Sequence, residues 1–325
     1  MKKLFFPLLA VFAMALTGCS DDEPTMSKII PEDAFPDINF REYVLDQFDI
    51  DADGVISQDE AARVTKIDVS KTYPIESLEG IQYFPNLDTL YCYSNRLTAL
   101  DVSKNTKLTV LSCHSNRLTV LDVSKNTELT FLGCGYNQLT ALDLSKNTEL
   151  TTLYCQNDQL MALDVSKNTK LTSLNCYSNQ LTTLDVSKNT KLKELRCYEN
   201  QLTALDLSKN TELTELNCRN NQLTSLNVSK NTELTELYCS NNQLTVLDVS
   251  KNTELIELLC SSNQLTELDV SKTNLGNSSD SSPLSCDGMS TLKTLTLKTG
   301  WRIYGITYFR STNFIPEHTE IIFAD

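Results

Sequence analysis

The chain has 325 residues, a formal net charge of −14, two histidines and nine glycines. So acidic a balance argues against a nucleic-acid partner, whose phosphates select Lys and Arg. It argues equally against attachment to anionic lipid through a basic patch, and it favours cations and basic partners.

Residues 1–18 read as an export signal. Lys2 and Lys3 precede an apolar run from Leu4 to Leu16, and small residues follow. The run is shorter than the about 20 apolar residues that a spanning helix needs. The stretch LTGC, Leu16 to Cys19, resembles the lipobox of bacterial lipoproteins. That resemblance implies cleavage before Cys19 and a lipid on its sulfur, hence an outer-membrane lipoprotein exposed at the cell surface. SDDE, Ser20 to Glu23, resembles a surface-export signal of one phylum of Gram-negative anaerobes; the plainer reading is a solvated acidic linker. Residues 19–36 contain three prolines and no periodicity, so they read as a lipid-anchored tether.

Residues 37–63 read as a small helical cap. DIDADGVISQDE, Asp49 to Glu60, matches the twelve-residue EF-hand calcium loop. Asp49, Asp51 and Asp53 fill its first, third and fifth positions, and Gly54 takes the sharp turn. Val55 offers a carbonyl, Ser57 a hydroxyl or a water, and Glu60 a bidentate carboxylate. Before the loop, Phe40, Val44, Leu45 and Phe48 share one helical face. A lone loop suits weak calcium binding in a structural role, fixing the cap.

Residues 64–86 form an opening repeat of 23 residues, and from Leu87 to Leu275 a 21-residue unit recurs nine times. Such a period marks a solenoid. The unit LxxLxCxxNxLTxLDVSKNTx resembles the leucine-rich repeat, with Cys at a position usually held by Leu. The resemblance implies stacked coils with parallel strands. Its second half repeats the spacing of the first, so both long sides of a coil can carry extended chain. Residues 276–325 read as a degenerate final repeat, including Cys286, and a β-rich C-terminal cap.

Nine cysteines from Cys92 to Cys260 keep the beat. The favoured reading is a column of free thiols packed as small hydrophobes. The rival, a disulfide framework of an exported protein, is opposed by the odd count and by parallel side chains on strands about 4.8 Å apart. Two Asn columns, one through Asn95 and Asn116 and the other from Asn105 to Asn252, can satisfy backbone groups at the turns. Asp158 interrupts the first column and, unless protonated, can only accept.

In a leucine-rich repeat the outward positions of the LxxLxC strand make the recognition face. Here they carry Tyr91, Tyr93, Phe131, Tyr154, Tyr177 and Tyr198, then a column of Glu194, Glu215, Glu236 and Glu257. Exposed Tyr is a typical interface anchor. Like charges on neighbouring strands call for a cation, a basic partner, or relief from Arg196 and Arg219. No nucleophile, base or phosphate-loop arrangement stands out, so catalysis is not expected. The expected function is an internalin-like surface module, a monomer that binds a host or bacterial protein. A glycan-binding lipoprotein using tyrosines as sugar platforms, and a plain spacer, are the alternatives.

Overall fold

The structure is a computed structural model that describes residues 29–70, 74–275, 283–298 and 315–324. The export signal, the lipobox and Cys19 lie outside these residues, as does the acidic SDDE stretch.

The cap begins earlier than its sequence suggests. Strand β1 (Ile29–Ile30) pairs antiparallel with β2 (Ile56–Ser57), which closes the acidic loop. Ile30 and Phe35 are buried in the core. The Phe35 ring packs on Phe40 at 5.8 Å and on Phe84 at 6.2 Å. Gly80, at φ 104°, lies beneath it, and a Cβ there would meet that ring at 2.3 Å. The segment expected to run as a tether to Pro36 is therefore part of the fold from Ile29. Two isoleucines and a phenylalanine among prolines carry no periodicity, so sequence pattern passes over them.

Helix α1 (Ile38–Phe48) starts where the Asp37 carboxylate accepts the Asn39 and Phe40 N–H groups at 2.9 and 3.0 Å. Phe40 and Val44, four residues apart, bury one face of it. A capping box between Ser57 and Glu60 opens α2 (Gln58–Ala61).

Each coil then contributes one three-residue strand: β3 (Lys66–Asp68), β4 (Thr89–Tyr91), β5 (Val110–Ser112), β6 (Phe131–Gly133), β7 (Thr152–Tyr154), β8 (Ser173–Asn175), β9 (Glu194–Arg196), β10 (Glu215–Asn217), β11 (Glu236–Tyr238) and β12 (Glu257–Leu259). With β14 (Leu284–Ser285) they form one parallel sheet of 11 strands, in which Leu90 pairs with Leu111 and so on along the array. The architecture is the parallel-strand solenoid that the repeat period implies. In the first full unit Leu87, Leu90, Cys92, Leu97, Leu100 and Val102 are all buried. A fully buried Leu contributes about 1.5–3 kcal/mol, but only when the next coil covers it, so the units stabilise one another in series.

Asn side chains lock the coils. Asn116 Oδ1 accepts the Leu97 N–H at 3.0 Å, while its Nδ2 donates to the Cys92 and Cys113 carbonyls at 2.9 and 3.0 Å. In the second column Asn126 Nδ2 donates to the Val102 and Asn105 carbonyls, both at 2.9 Å. Every such residue ties its coil to the one before.

The second side of the coil differs from the expectation of extended chain on both sides. Before Glu267 the only pairing on that side among the described residues is the bridge Asp101–Asp122, between the first two units. There the Asp of LDVSKN turns the chain: Asp101 Oδ1 accepts the Ser103 N–H at 2.9 Å. Strands return on that side only at the end, where β13 (Glu267–Asp269), β15 (Thr294–Lys298) and β16 (Glu320–Ala324) form a parallel sheet of three strands. The aromatic stretch 301–314, expected to close this end, lies outside the described residues.

The cysteine beat is a column of thiols. Cys92, Cys113 and their successors to Cys260, together with Cys286, are free and buried. Burial pushes the thiols up, to about 12 for Cys197 and Cys239, so no reactive thiolate forms at neutral pH.

Candidate functional site

Alternation along each short strand settles what it presents. In β4 Leu90 points inward and Thr89 and Tyr91 lie on the other face, half-buried among their neighbours. The same positions in later coils bring the predicted aromatic residues together on one face. They do so as pairs and stacks. Tyr93 stacks on His114 at 4.6 Å with 9° between planes. Tyr91 meets Tyr93 edge-on at 6.5 Å, and Lys66 Nζ lies 5.0 Å from the Tyr91 ring centre. Phe131 meets Tyr154 edge-on at 5.6 Å. Tyr177 stacks on Tyr198 at 4.2 Å, and the Arg219 guanidinium covers Tyr198 at 4.5 Å. The Tyr136 and Tyr177 hydroxyls lie 2.7 Å apart. Tyr91, Tyr93, Tyr177 and Tyr198 thus each share a ring face with another group.

The acidic column is satisfied from within. Arg196 grips Glu215 through Nε at 2.6 Å and Nη2 at 2.9 Å. Ser173 donates to Glu194 at 3.1 Å. The Tyr238 hydroxyl lies 2.8 Å from both Glu236 and Glu257, and burial together with these carboxylates raises its pKa. The expectation that Arg196 and Arg219 would relieve the column holds for Arg196 alone. Arg219 lies on Tyr198 instead, and Tyr238 does what had been assigned to it.

The chain was compared with known proteins. No protein-family model matches it. The functional domain of InlJ from Listeria monocytogenes, which includes a cysteine ladder, is 42% identical with a TM-score of 0.72; the match covers 82% of this chain and 56% of that one. Internalin J of Listeria monocytogenes serotype 4b is 45% identical over 74 residues, 23% of this chain and 8% of that protein. An internalin of the same species, InlF, shares the fold at a TM-score of 0.62 and 23% identity, over 93% of this chain and 94% of that one.

In sequence and in its leucine-rich repeat fold the chain is similar to these internalins, and it spans a little over half of the InlJ domain.

The internalin-like solenoid carries its acidic loop at the N-terminal end, close to the predicted geometry. Carboxylate oxygens of Asp49, Asp51 and Asp53 lie within 4.8 Å of one another. Ala52 at φ 58° and Gly54 at φ 86° make the turn. The Gly54 N–H donates to Asp49 Oδ2 at 2.9 Å, which aims that carboxylate across the loop. Partial desolvation and the charges of Asp53, Glu60 and Asp49 hold the Asp51 carboxyl above its usual range.

Glu60 is not drawn into this trio. Its Oε1 accepts the Ile50 N–H and its Oε2 the Ser57 N–H, both at 2.8 Å. It fastens the two ends of the loop, a second task that the twelve-residue pattern conceals. Val55 donates its N–H to Asp53 at 3.0 Å, and Ser57 caps α2. Three carboxylates gathered around a glycine turn are a donor set suited to a hard cation such as calcium.

Three residues of the face take partners that the sequence does not show: Tyr136, Arg219 and Tyr238. Arg219 and Tyr238 occupy outward positions of the repeat, so the period does locate them. Their partners become visible only when neighbouring coils are stacked. Tyr136 stands at the left-handed position of its coil, φ 56°, where other coils carry Ser, Asn or Glu.

Proposed function

We propose that this chain is a cell-surface binding module that contacts a host or bacterial protein through the outward residues of β4–β12. It acts by binding and not by catalysis, as a monomer. Lipid on Cys19 holds it to the outer membrane, and calcium at Asp49, Asp51, Asp53, Val55, Ser57 and Glu60 stabilises the cap. The lipid reading rests on the LTGC stretch. Among the described residues no helix is long and apolar enough to cross a membrane.

One observation favours a protein ligand over a glycan. Sugar platforms need open aromatic faces, and here Tyr177, Tyr198, Tyr93 and Tyr91 already share theirs with a ring, a guanidinium or an ammonium. Hydroxyls and a guanidinium accompany these rings, a mixture that suits backbone and side-chain groups of a protein. His114, the one histidine on this face, stacks on Tyr93, and burial lowers its pKa, so it stays neutral and packed.

The test is a pull-down with the purified chain against a glycan array probed with the same material. Specific capture of a protein that is lost with Tyr154→Ala/Tyr177→Ala supports the reading. Glycan binding lost with the same pair, and no protein captured, overturns it in favour of the glycan.

A further inference from the structure

Of Arg196 and Arg219, the second is held by no carboxylate among the described residues. Its guanidinium lies over the Tyr198 ring, which stacks on Tyr177, so residues of three successive coils lie one above another. The carboxylates that surround it in sequence and register are each held by something else: Glu215 by Arg196, Glu199 by Ser178, and Glu236 by Tyr238. Among the described residues Arg219 forms no ion pair. It is nonetheless exposed.

We infer that Arg219 is the anchor for a carboxylate on the protein partner; this rests on the protein-binding reading above. A guanidinium held over a ring leaves its N–H groups uncommitted, and that fork matches a carboxylate in two parallel hydrogen bonds. Stacking also fixes the side chain before the partner arrives, so less rotamer freedom is lost on binding. The rest of the surface sets the context. A net charge of −14 repels a generally acidic partner. The fitting epitope is therefore one acidic side chain flanked by basic ones, the basic ones facing the column of Glu194 and Glu236. Paired Arg196 could not serve, since its fork is already committed to Glu215.

The experiment pans a phage-displayed random peptide library over the purified full chain, then measures the selected peptides against Arg219→Ala, Arg219→Lys and Tyr154→Ala/Tyr177→Ala. Circular dichroism melts confirm that each variant folds. The expected result is a pool carrying Asp or Glu at a fixed position, bound at least about tenfold more weakly by Arg219→Ala and partly restored by Arg219→Lys. Peptides that lose affinity for the tyrosine variant and keep it for Arg219→Ala overturn the anchor while sparing the binding face. Peptides unaffected by any of the three, or a library that yields none, overturn both.

Discussion

Asp158 Oδ1 accepts the backbone N–H of Leu139 at 3.0 Å, joining one coil to the previous one through a carboxyl where the next coil uses an amide. In that next coil Asn179 makes the same bond to Leu160 and also donates from Nδ2 to the Cys155 and Cys176 carbonyls. Asp158 has an oxygen in place of that donor, and Oδ2 is buried without a partner. Desolvation raises its pKa from 3.8 to about 7. A proton on Oδ2 would supply the missing donor.

The sign of the pH effect follows. The folded chain holds this proton more tightly than the unfolded chain, so the group's stabilisation is complete below about pH 4 and is lost as pH rises through 7. Asp158→Asn should restore the ladder, raising stability at pH 8 by on the order of 2–4 kcal/mol and changing little at pH 4. Denaturant unfolding of both proteins at the two pH values checks it. Asp101 and its equivalents, lowered by bonds from the Ser two residues on, have the opposite pH slope, but they are common to both proteins and cancel. An equal difference at both pH values would refute the titration.

The thiol column should be silent to reagents in the native state. Titration should find no reactive thiol before denaturation and all ten of the described cysteines after it, without reductant. Cys176→Ser should cost about 1–3 kcal/mol, because it places a hydroxyl where the surroundings are apolar. A denatured count near zero would mean that the cysteines pair.

Calcium should raise the melting temperature of the cap, read as protection of the Phe35, Phe40 and Phe84 cluster in hydrogen exchange. Because Glu60 also fastens Ile50 and Ser57, Glu60→Gln should weaken the cap even in chelator. Asp51→Asn separates the two effects: its side chain is exposed, so the metal-free cap should be nearly unchanged while the calcium response disappears. Calorimetry of the unaltered chain showing no heat at millimolar calcium would dismiss the site.

Replacing Tyr154 and Tyr177 together with Ala should leave the solenoid folded, since both lie on the outward face. Affinity for the captured protein should drop by about 2 kcal/mol or more for each anchor. The matched control is Lys146→Ala/Lys167→Ala on the other side of the coil, which should leave binding alone. The reverse pattern would move the recognition face to the lysine side.

The solenoid was legible because its period is carried by residue identity. Leu90, Cys92 and Leu97 recur until their burial is the only reading left. The face was legible by position and not by partnership. The sequence places Tyr198 and Arg219 in one column, yet whether the guanidinium turns to Tyr198 or to Glu215 depends on Arg196 reaching that acid first. The cap shows the same limit: the loop pattern names Glu60 as a ligand, while its bonds to Ile50 and Ser57 come from chain folded around it. β1 stayed hidden because two residues form too short a strand to carry alternation.

The Asn116 ladder and the leucines beneath it make every internal seam between coils from nearly the same set of atoms. The molecule therefore behaves like a ruler graduated in whole coils. Excising one 21-residue unit would close on a seam made of the same residues and shorten the sheet by one strand spacing, about 4.8 Å. Only the outward side chains would register the loss, since they alone number the coils. Exchange between near-identical repeats in the coding sequence can thus reset the distance between Tyr91 and Glu257 in fixed steps without rebuilding a core.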